Sequence, residues 1–354
     1  MKRLISLILA ILLICTFLSG CFKPEKASII NSDIDRENSG LIVHFIDIGQ
    51  GDSILLESKG EFALIDGGEY SEREIVVSYL SSQGVEDLNF IISTHPHSDH
   101  CGSLSEVIRN FDTETLICPD VDNDTPSWDY VLDAADERGV SYTTPEPYDT
   151  YKLGDATITI LSPSSDAVYS NLNDYSIVCK AEYGNTSFML TGDAEKLIEK
   201  QLIRDGFDLS ADVLKCGHHG SSTSSCSEFL DAVNPSAAII SCGKNNDYGH
   251  PHRETVSELK SRNIPYWRTD TDGTIVAASD GEDIYISTSS QSPVSVTQAT
   301  ASENARYIGN KNSKVFHFSE CAGVKDMSDK NKVNFYSRDE AASKGYKPCK
   351  SCTP

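Results

Sequence analysis

Seven of the nine histidines fall in three short motifs: His95-Pro96-His97-Ser98-Asp99-His100, Gly217-His218-His219-Gly220 and Gly249-His250-Pro251-His252. Packing does not gather imidazoles in this way. His95 and His97 flank one residue at the end of an apolar run, Leu88 to Ser93, so both can face one side of an extended chain. Asp99 and His100 follow in the turn beyond. Two imidazoles, then a carboxylate and a third imidazole, supply ligands for two adjacent divalent ions, zinc or manganese by type. Catalytic sites of this kind keep a position open for water. Thr191-Gly192-Asp193 ends another apolar run. A carboxylate there can bridge two ions, although Asp before a helix is also an ordinary N-cap. The first motif favours the bridging role.

The loop Gly217 to Ser225 adds small hydroxyls, Ser221 among them. It reads either as a set of donors to phosphate oxygens or as a helix entry with a serine cap. His250 is a candidate for phosphate contact or for protonating a leaving group. His252 reads as a surface or first-turn residue, and His44 as packing. A separate ligand set lies near the carboxy terminus. His317-x3-Cys321 and Cys349-x2-Cys352 stand 27 residues apart and form a structural zinc pattern.

The elements that must position these groups alternate. Leu41 to Ile48, Ser53 to Glu57 and Phe62 to Ile65 are β-rich runs separated by glycine turns. Ser71-x-x-Glu74 predicts a capping box, with its helix ending near Gly84. Thr125-Pro126 predicts a second helix, closed by Gly139. Gly184-Asn185 predicts a hairpin between 176–183 and 186–191. Helices at 194–205, 224–233 and 252–262 then alternate with strands at 212–216 and 237–241, with short strands to Ile286. Hairpins mixed with strand–helix units predict sheets faced by helices.

Of 354 residues, 39% are hydrophobic and 23% charged, which excludes a disordered or collagen-like chain. The net charge is −23 and uneven. Residues 41–286 carry 15 basic and 43 acidic side chains, while residues 305–354 carry 10 and 5. An acidic surface repels nucleic acid and anionic lipid unless cations intervene. Residues 287–304 hold one charge and no aromatic, and read as a flexible linker.

Lys2 and Arg3 precede an apolar stretch from Leu4 to Leu18, short for a membrane span but right for a secretory signal. Leu18-Ser19-Gly20-Cys21 resembles a bacterial lipobox. That implies cleavage before Cys21, lipidation of its thiol, and attachment to the outer face of the cytoplasmic membrane. Residues 22–40 read as a polar spacer. Cys101, Cys118, Cys179, Cys216, Cys226 and Cys242 lack framework spacing and read mostly as small buried hydrophobes.

The motifs together resemble the metallo-β-lactamase-fold hydrolases and, within them, the hydrolase domain of the ComEC competence proteins. The residues that carry this are 45–53, FIDIGQGDS; 64–68, LIDGG; 93–100, STHPHSDH; 190–194, LTGDA; 215–221, KCGHHGS; and 248–251, YGHP. They cover residues 41 to about 286 in family order. The resemblance implies an α/β fold, an αββα sandwich with a binuclear site at the sheet edges. It implies His95 and His97 at a first site, Asp99, His100 and His218 at a second, and Asp193 between them. His219 is the alternative to His218. Asp66 would orient the ligand loop. The general family pattern has one more histidine between the first motif and Asp193; here Asn173-x-x-Ser176 stands instead, so Asn173 or a water would assist the first site. ComEC's membrane channel is absent from this sequence.

Residues 307–352 resemble the metal-binding domain of the Ada DNA-repair proteins, with His317 where Ada has its methyl-accepting cysteine. Alkyl transfer is therefore not expected, and a zinc-stapled basic module is. Together these readings point to an exported phosphodiester hydrolase acting on DNA, with Asp99, Asp193 and His250 at the chemistry. The alternatives are a cell-wall phosphodiester, a lactone or a β-lactam as substrate, or a non-catalytic DNA-binding uptake factor.

Overall fold

The computed structural model describes residues 26–290 except 122 and 124, and residues 307–352 except 319, 320, 326, 336–340, 342, 343 and 351. The predicted signal and Cys21, and most of the predicted linker, lie outside the described residues. The chain divides into two units, Met1–Ser292 and Pro293–Pro354.

In the first unit, alternation along the strands decides the layering. Val43, Leu56, Ala63 and Ile92 of one sheet share a core with Ile158, Ala181, Phe188 and Ile239 of another. Their sequence neighbours Leu55, Leu64 and Ile91 point the other way, onto helices Arg73–Ser82, Leu104–Asn110 and Pro126–Arg138. Val178, Met189, Leu214 and Ala238 likewise face outward, onto helices Lys196–Asp205, Ser227–Val233 and Arg253–Ser261. Period-two burial on two stacked sheets, with an apolar helix stripe on each outer face, is an αββα sandwich.

The first sheet has nine strands, in the spatial order Ile29–Asn31, Ile284–Thr288, Ile275–Ser279, Leu41–Phe45, Ile54–Ser58, Glu61–Ile65, Phe90–Ile92, Thr115–Ile117, Ser141–Thr143. The second has seven, from Thr150–Leu153 through Ala156–Ser162, Val178–Tyr183, Thr186–Leu190, Val213–Lys215 and Ala237–Ile240 to Tyr266–Arg268. Apart from the parallel edge pair of Ile29–Asn31 with Ile284–Ile286, each sheet is antiparallel on one side and parallel on the other: Glu61–Ile65 runs parallel to Phe90–Ile92, and Thr186–Leu190 parallel to Val213–Lys215. Parallel neighbours end on the same edge, so the loops after these strands meet there.

Local details differ from the sequence expectations in three places. Ile29–Asn31, inside the presumed spacer, is an edge strand paired with Ile284–Ile286. The last strand continues to Thr288. Ser71 forms no capping box: it lies in a 3₁₀ turn, its hydroxyl donates to Glu72, and the helix begins at Arg73. Thr125 does precede a helix with Pro126 at its start, and Gly139 ends it at φ +69°, a left-handed position that glycine adopts without strain. The six cysteines of the sandwich are buried and unpaired.

The second unit holds a four-stranded sheet, ordered Lys332–Phe335, Tyr307–Asn310, Val315–Phe318, Lys347–Pro348. Its core is aromatic: Tyr307 packs on Phe316 and Phe318, and Phe335 on Tyr346. Gly309 is required, because a Cβ there would sit 2.5 Å from Phe335. Among the described residues, no helix is long and apolar enough to cross a membrane.

Candidate metal centre

The loops at the shared strand ends bring together residues far apart in sequence. One ligand atom each from Asp52, His100, Asp193 and His219 lies within 4.8 Å of all the others, and all four residues are buried. His100 Nε2 is 3.2 Å from Asp193 Oδ1. His219 Nε2 is 3.5 Å from Asp193 Oδ2 and 3.2 Å from Asp99 Oδ2. The His95 ring lies beside His100, 4.2 Å between ring centres and tilted by 51°, and its Nε2 faces His97 Nδ1 at 2.9 Å.

The remaining ring nitrogens are already engaged, and this fixes which atoms face inward. His100 Nδ1 donates to Asp66 Oδ2 at 2.8 Å, and His219 Nδ1 donates to the Ser241 carbonyl at 3.1 Å. Each Nε2 is then the nitrogen turned toward Asp193. Asp66 also accepts from the Thr94 amide and hydroxyl, at 2.8 and 2.7 Å. The Thr94 hydroxyl oxygen, 3.1 Å from His95 Nδ1, is thereby set to accept from it. Ser176 Oγ lies 3.3 Å from the same nitrogen and accepts from the Asp193 amide.

These residues fit a divalent cation on the geometry itself. His100 Nε2, His219 Nε2 and Asp193 Oδ1 are buried and make no hydrogen bond among the described residues. Such atoms are costly to bury unless something else binds them. Nitrogen and carboxylate donors suit zinc, manganese or related ions. Among themselves, the buried carboxylates and imidazoles favour each other's charged forms. Burial opposes charge on His100 and His219, yet Asp193 and its fellow carboxylates outweigh it and hold both imidazoles protonated well above the usual range. Burial and then the neighbouring His100 push His95 the other way. Burial would raise Asp193 and Asp99, but His100 leads the groups that hold both well below the usual carboxylate range.

His218 and His219 exchange places relative to the sequence expectation. The expected second-site ligand was His218, but His219 is the histidine that joins Asp99, His100 and Asp193. Both residues have left-handed backbones, φ +50° and +53°, so their rings diverge. His219 turns inward. His218 stays partly exposed, with Nε2 3.7 Å from Asp193 Oδ2 and Nδ1 3.0 Å from the Thr223 hydroxyl. Two adjacent non-glycine residues at positive φ are unusual and costly, and cluster at functional sites.

The other expected residues are placed as follows. Asn173 lies in a 3₁₀ turn, Leu172–Tyr175, and donates to Glu195 at 3.2 Å; Ser176 makes the turn's link to His95 and Asp193. Ser221 is buried, and its hydroxyl accepts from the Thr223 amide at 3.2 Å, so it serves the loop's internal bonding. The Ser225 and Cys226 amides are taken by Glu199. His250 borders the cluster, 5.4 Å from His218 and 6.0 Å from His219 between ring centres. Burial, followed by those two histidines, lowers its pKa to about 4, so it is neutral at pH 7. That suits a hydrogen-bonding wall better than a proton donor.

Two residues were missed entirely. Asp52 reaches His219, Oδ1 to Nδ1 at 3.6 Å, and pairs with the ammonium of Lys215. Lys215 is wholly buried and donates to the Gly192 carbonyl at 3.0 Å, beside Asp193. The available signals were a charged residue closing an apolar strand, Val213-Leu214-Lys215, and an aspartate in a glycine turn.

Asp66→Asn is expected to weaken metal affinity about 10- to 100-fold, because an amide no longer fixes the His100 tautomer. Competition of the full chain against a fluorescent chelator measures this; unchanged affinity would remove Asp66 from the site's support.

In the second unit, His317, Cys321, Cys349 and Cys352 form the other group whose ligand atoms lie within 4.8 Å of one another. Two thiols, a third thiol and an imidazole in this arrangement suit a tetrahedral structural ion.

The family described as "Metallo-beta-lactamase superfamily" matches residues 46–244. ComE operon protein 3 of Bacillus subtilis (strain 168) is 34% identical over 251 residues, covering 66% of this chain and 32% of that protein. Recombination protein 2 of Haemophilus influenzae is 32% identical over 225 residues, covering 61% and 26%. The chain thus spans a third or less of these relatives. Among solved structures, the metallo-beta-lactamase fold protein YhfI from Bacillus subtilis has a TM-score of 0.47 at 12% identity, covering 70% of this chain and 99% of that one.

Proposed function

Because the chain belongs to the metallo-beta-lactamase superfamily, we propose that it hydrolyses phosphodiester bonds with two divalent ions, zinc or manganese, and that its substrate is DNA outside the cell. The observation that carries this is the set of unpaired inward nitrogens around Asp193. His95 and His97 would hold one ion, Asp99, His100 and His219 the other, with Asp193 as a ligand shared by the site. Bound there, such a pair supplies Lewis-acid activation of water and of the ester oxygens. The chain's own contribution is alignment. Asp66 and the Ser241 carbonyl keep Nε2 of His100 and of His219 turned inward. Lys215 and Ser176 fix the backbone on either side of Asp193. Preorganised ligands of this kind cost no rearrangement during reaction.

Two observations support DNA. Two relatives, Recombination protein 2 and the Competence protein ComA of Neisseria gonorrhoeae (27% identical over 276 residues), are named for recombination and competence. Residues 305–354 are basic, ten Lys and Arg against five acids, and suit a phosphate backbone. The His317–Cys352 group would hold a structural zinc that staples this small unit. The lipobox-like Cys21 would tether the chain outside the cytoplasmic membrane. The strong acidity of residues 41–286 favours a second reading, a cell-wall phosphodiester, a lactone or a β-lactam.

A substrate panel decides. The full chain, titrated with zinc or manganese, is offered linear DNA, a generic phosphodiester, a lactone and a β-lactam. Metal-dependent cleavage of DNA and the phosphodiester is expected. Turnover of neither, under any metal, would overturn the proposal; turnover of only the lactone or β-lactam would replace it with the second reading.

A further inference from the structure

Next to the metal cluster stands an aromatic ring that the coordination does not use. Tyr248 is 66% exposed, yet its ring lies nearly parallel to His250, at 5.6 Å and 19°. His250 in turn leans on His219 at 6.0 Å and 33°. The rings form a ladder from a ligand candidate to solvent, and the spacings are those of stacked aromatic pairs.

An exposed tyrosine on a loop is ordinarily mobile; the loop carrying this one is tied down. Asn246 Oδ1 accepts from the amides of Tyr248 and His250, at 3.2 and 2.9 Å. Asn246 Nδ2 donates to the carbonyls of Gly243 and His250, at 2.8 and 2.6 Å. His252 closes the other side: its Nδ1 accepts from the Ser222 amide at 2.9 Å, so its Nε2 carries the hydrogen and donates to the Tyr248 carbonyl at 3.2 Å. The same bonds seat the buried His250 and hold the exposed ring beside it, at a cost in conformational freedom. A binding surface recovers that cost, because less order remains to be imposed when a ligand arrives.

We infer that Tyr248, backed by His250, is a stacking platform for an unpaired nucleobase next to the scissile phosphodiester, and so selects single strands over duplex. This rests on the phosphodiesterase reading above. Stacking is the grip that an acidic domain has available. It needs no positive charge, whereas phosphate contacts would meet the net negative field of residues 41–286. A paired base has both faces covered by its neighbours and cannot use the platform. An isolated ring recognises any base by its π-face, so discrimination is by strandedness and not by sequence.

The test uses the full chain as Tyr248, Tyr248→Ala and Tyr248→Phe. Three substrates are compared: a single-stranded oligonucleotide, its duplex, and an abasic strand of equal length. Tyr248→Ala is expected to lower kcat/KM on the single strand about tenfold, with less than about twofold change on the duplex and the abasic strand, and Phe is expected to restore the value. In an Asp193→Asn background, a 2-aminopurine strand should be quenched on binding and should lose that quenching with Tyr248→Ala. Equal losses on all three substrates, or no loss on any, would overturn the platform. Quenching by an otherwise native chain that cleaves no DNA would support the platform and overturn the nuclease reading.

Discussion

Asp193→Asn is expected to lower kcat/KM for any hydrolysed ester by roughly 10³-fold or more, the equivalent of several kcal/mol of lost charge stabilisation. The Asp193 carboxylate lies among three imidazoles. Oδ1 faces His100 and Oδ2 faces both His219 and His218. Asparagine keeps the shape and one oxygen but removes the charge and the second acceptor. The backbone hydrogen bond from its amide to Ser176 remains available, so the loop keeps its position. Steady-state kinetics at saturating metal separates the effects. Loss of kcat at restored occupancy places Asp193 in the reaction; recovery of full rate by excess metal would reduce its role to affinity.

Lys215→Met is expected to destabilise the sandwich by about 3–5 kcal/mol, because it leaves the Asp52 carboxylate buried without its counter-charge. Both residues are almost wholly buried. Burial would raise the Asp52 pKa, but Lys215 and then His219 outweigh it and hold the group at about 2. The sign follows from that depression. The stabilising contribution is present above the ordinary value of 3.8 and is lost as pH falls through about 2. At neutral pH the wild type therefore carries the full contribution and the variant lacks it. Pairing the change with Asp52→Asn should recover part of the loss, since both charges are then removed. Urea unfolding at pH 7 of the four members of this cycle gives the coupling. A single variant as stable as wild type would show that water reaches Asp52 and that the pair is not a structural element.

The layers and most of the centre were legible because their signals are local. Alternating apolar runs specify a sheet face, and His95, His97, Asp99 and His100 sit within six residues of one another. What was not legible depends on the folded chain. Ile29–Asn31 is a strand only because Ile284–Ile286 offers an edge to pair with, a contact 255 residues away. The choice between His218 and His219 turns on two backbone angles, which spacing does not encode. Asp52 and Lys215 acquire their meaning from each other, across the sandwich. The Ser71-x-x-Glu74 pattern is legible and misleading: a 3₁₀ turn at Tyr70–Glu72 takes the place of the cap. Gly102 packs against this turn, and a Cβ there would come within 2.4 Å of the Tyr70 amide.

The most direct measurement is the metal content of the purified full chain, by elemental analysis, before and after Asp193→Asn. The wild type should bind two ions at the sandwich edge in addition to one held by His317, Cys321, Cys349 and Cys352. The variant should lose sandwich-edge metal and keep the other. A wild-type chain that binds one ion only, and loses none on substitution of Asp193, would contradict a metal centre at the strand ends and leave the buried imidazoles without an explanation.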